Sequence, residues 1–171
     1  ADIIAEHVSS APPENTVVVL AHNGPTGLGA SRSSPCGKDW GRKGADWGDE
    51  DLKVGLERAG RGVPLVVFGH MHEKLQGEGL REMVAVGGGV GGTLYVNAAS
   101  VPRWRRSTSG SSGSFMADLE RYFTLVVMQR PVGADTCDAS GARASSVLAR
   151  TDERWTVKSV AAVWVAADGT V

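Results

Sequence analysis

Short apolar runs rich in β-branched residues recur along this chain between stretches of glycine, proline and polar residues. Runs of this kind are typical of buried strands. They predict five strands, over residues 16–21, 63–68, 83–86, 93–97 and 122–128. Two further runs within residues 155–171 predict a closing β-hairpin. Sheet is therefore expected to form much of the core.

Two segments have helical rather than strand spacing of their apolar residues. The first predicts a short amphipathic helix over residues 2–9. The second predicts a helix over residues 50–59, with Asp49 as its N-cap and Gly60 at its end. Helices interspersed with buried strands in this way indicate an α/β fold.

The remaining stretches are polar or glycine-rich and have no periodicity. Residues 23–49 predict a surface loop whose length is typical of functional loops. Residues 107–114 are of low complexity. We expect one domain over residues 1–130, a variable polar loop over 131–154, and the hairpin at 155–171 as part of the same domain.

The composition is that of an ordinary globular protein. Of 171 residues, 42% are hydrophobic and 22% charged, and the formal net charge is −1. The near-neutral charge argues against a general nucleic-acid binder, and no apolar stretch approaches the roughly 20 residues of a membrane span. Cys36 and Cys137 match no paired metal spacing, so we expect free thiols. A soluble protein with no membrane partner is expected.

Histidine follows two of the predicted strands. His22 comes directly after the first, and Gly69-His70-Met71-His72 follows the second. Open α/β sheets bind ligands beyond the carboxyl ends of their strands, and neutral imidazole is the commonest metal-binding side chain. The pattern makes His22, His70 and His72 candidate metal ligands. The alternative is a surface turn whose imidazoles are hydrated. His7 lies within the predicted helix at 2–9 and is expected to be an ordinary surface residue.

Three other motifs have simpler interpretations. The acidic run at 48–51 precedes a helix directly, so we interpret it as a cap and not a metal site. The glycines at 87–92 lead into a strand and not a helix, which argues against a dinucleotide site. The basic cluster at 102–106 is expected to be a solvated loop, with a phosphate-facing rim as the alternative.

Taken together, the two histidine motifs and the Asn-x-x-Ser segment within residues 95–100 resemble the C-terminal half of calcineurin-like metallophosphoesterases. The sequence at residues 21–29 and 36–40 looks most like the branch of this family found in cyanobacteria, algae and plants. The resemblance covers roughly residues 1–130. The family's earlier motifs, Asp-x-His, Gly-Asp and Gly-Asn-His, do not precede His22. The resemblance implies the C-terminal portion of a two-sheet sandwich with α/β/β/α layers.

The same resemblance implies a chemistry and its partners. His22 and His70 would bind one divalent ion and His72 another, with Mn, Fe or Zn compatible with such ligands. Two such ions would activate water for in-line attack on a phosphoester. Asn23 and Arg103 are candidates for substrate binding. The missing N-terminal half would supply the remaining ligands, so we expect the isolated chain to be inactive.

Two other functional classes remain open at the level of the sequence. The domain can be a non-catalytic binding or scaffold module on a degenerate phosphoesterase fold. It can also bind nucleic acid through Arg103, Arg105 and Arg106, although the near-neutral net charge argues against this. The family branch suggests a plastid and the composition is equally compatible with the cytoplasm, so the location stays open.

Overall fold

The computed structural model describes residues 1–41, 43–87, 92–106, 119–129 and 155–165. Within them the protein is mixed α/β, with two helices and two sheets. The helices are α1 (Asp2–Ser10) and α2 (Glu50–Arg58). The strands are β1 (Val18–Leu20), β2 (Leu65–Phe68), β3 (Val84–Gly87), β4 (Thr93–Asn97), β5 (Trp104–Arg106), β6 (Leu119–Gln129) and β7 (Thr156–Val165). The predicted loop at 131–154 and the low-complexity segment at 107–114 lie outside the described residues.

The first sheet has the strand order β1-β2-β4-β3. β1, β2 and β4 run parallel, and β3 pairs antiparallel with β4. Helix α2 lies in the connection between β1 and β2, as a parallel pair requires. β1 and β2 are shorter than the runs at 16–21 and 63–68 that predicted them. Because the three parallel strands point the same way, their carboxyl ends meet at one edge of the sheet.

One face of this sheet packs against both helices and forms the hydrophobic core. Val66 and Phe68 of β2 are buried there, together with Leu52 of α2 and Val8 of α1. Cys36 from the long loop joins the same cluster and is completely buried. The loop at 23–49 is therefore not wholly a surface loop, because part of it packs into the core beside β2.

Both ends of α2 follow the signals in the sequence. Asp49 Oδ1 accepts a hydrogen bond from the backbone N–H of Leu52 at 2.9 Å, which confirms the capping interpretation of the acidic run. The helix ends before Gly60, whose φ of +65° lies in the left-handed region that favours glycine. Among the helices that the structure describes, neither is long and apolar enough to cross a membrane.

The opposite face of the first sheet is also apolar, and it is exposed at the two outer strands. Leu20 of β1 is 78% exposed and Val86 of β3 is 80% exposed. Leu65 and Val96, on the central strands, share this face but are buried. The outer strands therefore present large apolar side chains to solvent, and β1 forms one edge of the sheet.

The second sheet has the order β5-β6-β7 and corrects two expectations. Residues 104–106 of the basic cluster form β5 and not a loop, because they pair with the start of β6. The prediction of a hairpin turn within 155–165 is wrong. No glycine, proline or asparagine interrupts residues 156–165, so the segment continues as one strand along β6. Residues 166–171 lie outside the described part of the chain.

Candidate metal centre

His22 and His70 lie side by side at the edge where the parallel strands end. Their ring centroids are 4.9 Å apart and their planes are inclined by 62°. The backbone continues the pairing of β1 and β2 up to this point, since Gly69 N–H donates to the carbonyl of His22 at 3.1 Å. The tips of β1 and β2 are therefore neighbours, which brings two of the three candidate ligands together.

A tight turn presents His70 and His72 to solvent. His70 has a φ of +68°, a left-handed conformation that is uncommon for a residue other than glycine and that clusters at functional sites. Met71 N–H donates to the carbonyl of Gly69 at 2.8 Å, and the Met71 side chain is buried. Because Met71 points inward, the two flanking imidazoles are exposed and line the same groove.

The Asn-x-x-Ser segment, which begins at the last residue of β4, holds this turn in place. Asn97 is buried and its Nδ2 donates to the carbonyls of Met71 and Pro35, at 2.7 and 3.1 Å. The hydroxyl of Ser100 donates to the carboxylate of Glu73, the residue after His72. Asn97 pairs with the last residue of β2 across the sheet, so the end of β4 holds the turn at a defined position.

Arg81 fixes the other side of the histidine turn. Its guanidinium is buried, and Nε donates to the carbonyl of His72 at 2.9 Å. Nη1 donates to three further carbonyls within residues 32–37, and Nη2 lies 3.4 Å from Asp39 Oδ1. Burial lowers the pKa of Arg81, and Asp39 opposes that shift. One side chain thus joins the long loop to the backbone of His72.

Asn23 contacts the protein in a structural way. Its Nδ2 donates to the carbonyl of Trp47 at 2.6 Å, and its Oδ1 accepts from Gly24 N–H at 2.9 Å. The next residue, Gly24, lets Cys36 and Phe68 pack closely against the loop backbone, because a Cβ at Gly24 would lie 2.6 Å from Cys36 Sγ and from the ring of Phe68. These contacts position the loop beside His22, and substrate binding by Asn23 stays a prediction.

The residues of the basic cluster at 102–106 do not line the groove of His70 and His72. Arg103 is exposed and does not belong to the residues that line the groove of His70 and His72. Arg105 pairs with Glu120 at 2.6 Å, and its guanidinium lies 4.2 Å from the ring centroid of Trp164. Arg105 therefore stabilises the second sheet. A phosphate contact from Arg103 stays a prediction.

The donor set fits part of a metal site. With metal–nitrogen distances of about 2 Å, two imidazoles on one ion have ring centroids about 5 Å apart, close to the separation of His22 and His70. Within the residues that the structure describes, however, no group of three or more histidine, cysteine or carboxylate side chains can hold a metal ion. The described residues therefore bring together one pair of candidate nitrogen ligands, His22 and His70, and metal binding by this pair stays a prediction.

Cys36 is buried in the hydrophobic core with Phe68 and is expected to be chemically inert in the folded protein. Burial raises the pKa of its thiol to about 12, and Asp46 adds to that shift. In a Cys137→Ser background, iodoacetamide at pH 8 should label Cys36 only after denaturation in urea, because the thiolate is the reactive form. Rapid labelling of the native protein would contradict this.

The same shift predicts a pH dependence of stability. The folded pKa of Cys36 lies above the unfolded value of 9.0, so the folded state keeps this proton more tightly. The free energy of unfolding should therefore fall as the pH rises above 9, by about 1.4 kcal/mol per pH unit for one group. The comparison is with Cys36→Ala, whose stability should fall less between pH 9 and 11.

The sequence alone did not point to Arg81, or to Trp40 and Trp47 of the long loop, which line the groove of His70 and His72. Arg81 stands in a glycine-rich polar stretch without periodicity, and its partners at 32–37 lie 44 to 49 residues away. Asn97 and Ser100 entered only through the family resemblance.

Comparisons with protein-family models, with curated proteins and with solved structures find no match for this chain.

Proposed function

We propose that this chain carries the histidine part of a metal-dependent phosphoester hydrolase site of the calcineurin-like type. The observation that carries the proposal is the pairing of His22 and His70, whose ring centroids lie 4.9 Å apart. Both side chains are exposed, so core packing does not account for their contact. They stand beyond the carboxyl ends of adjacent parallel strands, where α/β sheets bind ligands.

In this proposal His22 and His70 bind one divalent ion and His72 binds the other. When bound, the two ions would activate water and neutralise charge on the phosphoester. Because the backbone of His70 is left-handed, the imidazoles of His70 and His72 both line the same groove. Arg81 and Asn97 orient them by binding the carbonyls of His72 and Met71. The outer contacts of ligating residues commonly affect metal affinity about tenfold to hundredfold.

The remaining ligands are proposed to come from the N-terminal part of such a domain, whose motifs Asp-x-His, Gly-Asp and Gly-Asn-His do not precede His22. A bridging carboxylate, an Asn ligand and the histidine that protonates the leaving group are the parts that the family motifs imply. The exposed apolar residues Leu20 and Val86 support this, because a second part of a layered sandwich would bury them. On this view the two sheets belong to an α/β/β/α arrangement.

The isolated chain is expected to bind phosphate but not to hydrolyse its esters. With Mn²⁺ added, p-nitrophenyl phosphate and its bis-ester should be cleaved at the background rate, because among the described residues no carboxylate joins the histidines to bridge a second ion. Inorganic phosphate should bind, by calorimetry, only when Mn²⁺ is present. Hydrolysis that is lost in His72→Ala would show the expected inactivity to be wrong. Phosphate binding that needs neither Mn²⁺ nor the histidines would overturn the proposed function.

A non-catalytic binding or scaffold module is the second candidate. The observation that favours it is the absence, among the described residues, of a group of three metal-binding side chains. Mn²⁺-dependent binding of phosphate separates the two candidates, since a scaffold on a degenerate fold would bind one metal ion weakly or none and would not hold phosphate through it.

A further inference from the structure

The groove beside His70 and His72 has an aromatic wall. The groove has a volume of about 770 Å³, and Trp40 and Trp47 line it together with the two histidines. The two indoles meet edge to face, with ring centroids 5.2 Å apart. Trp47 is 45% exposed. A large exposed indole next to candidate ligands is a typical binding surface for a planar group.

The loop backbone holds this aromatic wall in place. Trp47 N–H donates to the carbonyl of the buried Cys36 at 2.9 Å, and its carbonyl accepts from Asn23 Nδ2. Lys38 Nζ lies 5.3 Å from the Trp40 ring centroid and 4.9 Å from that of Trp47. Such cation–π contacts restrict the orientation of both indoles. The wall is therefore formed before any ligand binds, which reduces the entropy lost on binding.

The charges in the groove favour an anion near the histidines. Asp39, the acidic residue of the lining, accepts from Gln76 N–H at 2.6 Å and lies 3.4 Å from the Arg81 guanidinium. Its charge is thereby compensated within the protein. Lys74 is exposed in the lining beside His72. Lys74 is the basic residue of the lining and favours an anion in this groove, and a group attached to a phosphate at the histidines would extend along the groove.

We infer that the groove selects phosphoesters whose leaving group carries a planar aromatic ring, with that ring stacked on Trp47. This inference rests on the proposed function and names the substrate class of the same site. Stacking of a ring on an aromatic side chain strengthens binding by about tenfold.

The test compares two phosphomonoesters on the full chain with saturating Mn²⁺. Phenyl phosphate should bind about tenfold more tightly than glycerol 2-phosphate in calorimetric titrations. Trp47→Leu should remove this preference and Trp47→Phe should retain part of it, because phenylalanine still offers a ring. Trp104→Leu is the matched control, since Trp104 is exposed on β5 and does not line the groove. It should leave the preference unchanged.

The outcomes separate this inference from the proposed function. Equal affinity for the two esters, with binding still dependent on Mn²⁺, overturns the aromatic selection and leaves the proposed function standing. A preference for phenyl phosphate that depends on Trp47 but not on Mn²⁺ supports the aromatic wall and overturns the metal site. A preference that survives Trp47→Leu, or that Trp104→Leu removes equally, overturns the inference. Failure of both esters to bind overturns both.

Discussion

Replacing Arg81 by methionine is expected to lower the free energy of unfolding by about 3–5 kcal/mol, because breaking a buried charged network leaves its partners uncompensated. The Arg81 side chain is only 1% exposed and donates to the carbonyl of His72 and to three carbonyls within residues 32–37. Methionine fills similar space but donates no hydrogen bonds, so these carbonyls and Asp39 lose their partner. Urea denaturation measures the effect.

Arg58→Met is the matched control for this substitution. Arg58 also pairs with a carboxylate, that of Asp2 at 2.6 Å, but the two side chains are 59% and 88% exposed. Exposed ion pairs contribute about 0–1 kcal/mol, so this variant should remain close to the unmodified protein. If Arg81→Met were no less stable than Arg58→Met, the buried guanidinium would not be what joins the long loop to the histidine turn.

The second large effect is expected on metal affinity. His70→Ala should weaken Mn²⁺ or Zn²⁺ binding by about a hundredfold, at least as much as the loss of an outer-sphere partner. The physical reason is that the sheet edge brings His22 and His70 together as the two candidate nitrogen donors, and one imidazole alone binds a divalent ion poorly. Calorimetric titration of the metal-free protein measures this affinity.

His7→Ala is the control for nonspecific binding of the metal ion to any exposed histidine. His7 is exposed on α1, where its Nδ1 contacts the carbonyl of Ile3 at 2.8 Å, and it should not change the metal affinity. His22→Ala should reproduce the loss seen with His70→Ala. Equal metal affinity for His70→Ala and His7→Ala would show that the pair at the sheet edge is not a metal site.

Local signals predicted the elements that depend on local interactions. The cap at Asp49 and the end at Gly60 are confirmed for α2, because capping involves residues within one turn of the helix. β3 and β4 also lie close to their predicted bounds. β5 and the single strand β7 were not predicted, because each is set by its pairing with β6 and not by its own periodicity.

For the candidate site too, some features follow from local sequence and others only from tertiary contacts. The sequence by itself determined that His22 and His70 each follow a strand, although only β2 is buried and β1 is an exposed edge strand. The parallel pairing of these strands makes their tips neighbours. Only the tertiary structure decided what surrounds them. Asn97 binds the Pro35 carbonyl across 62 residues, and Arg81 binds that of Gly37 across 44. Contacts over such separations leave no periodic pattern in the sequence, because they form only after the chain has closed the loop between them.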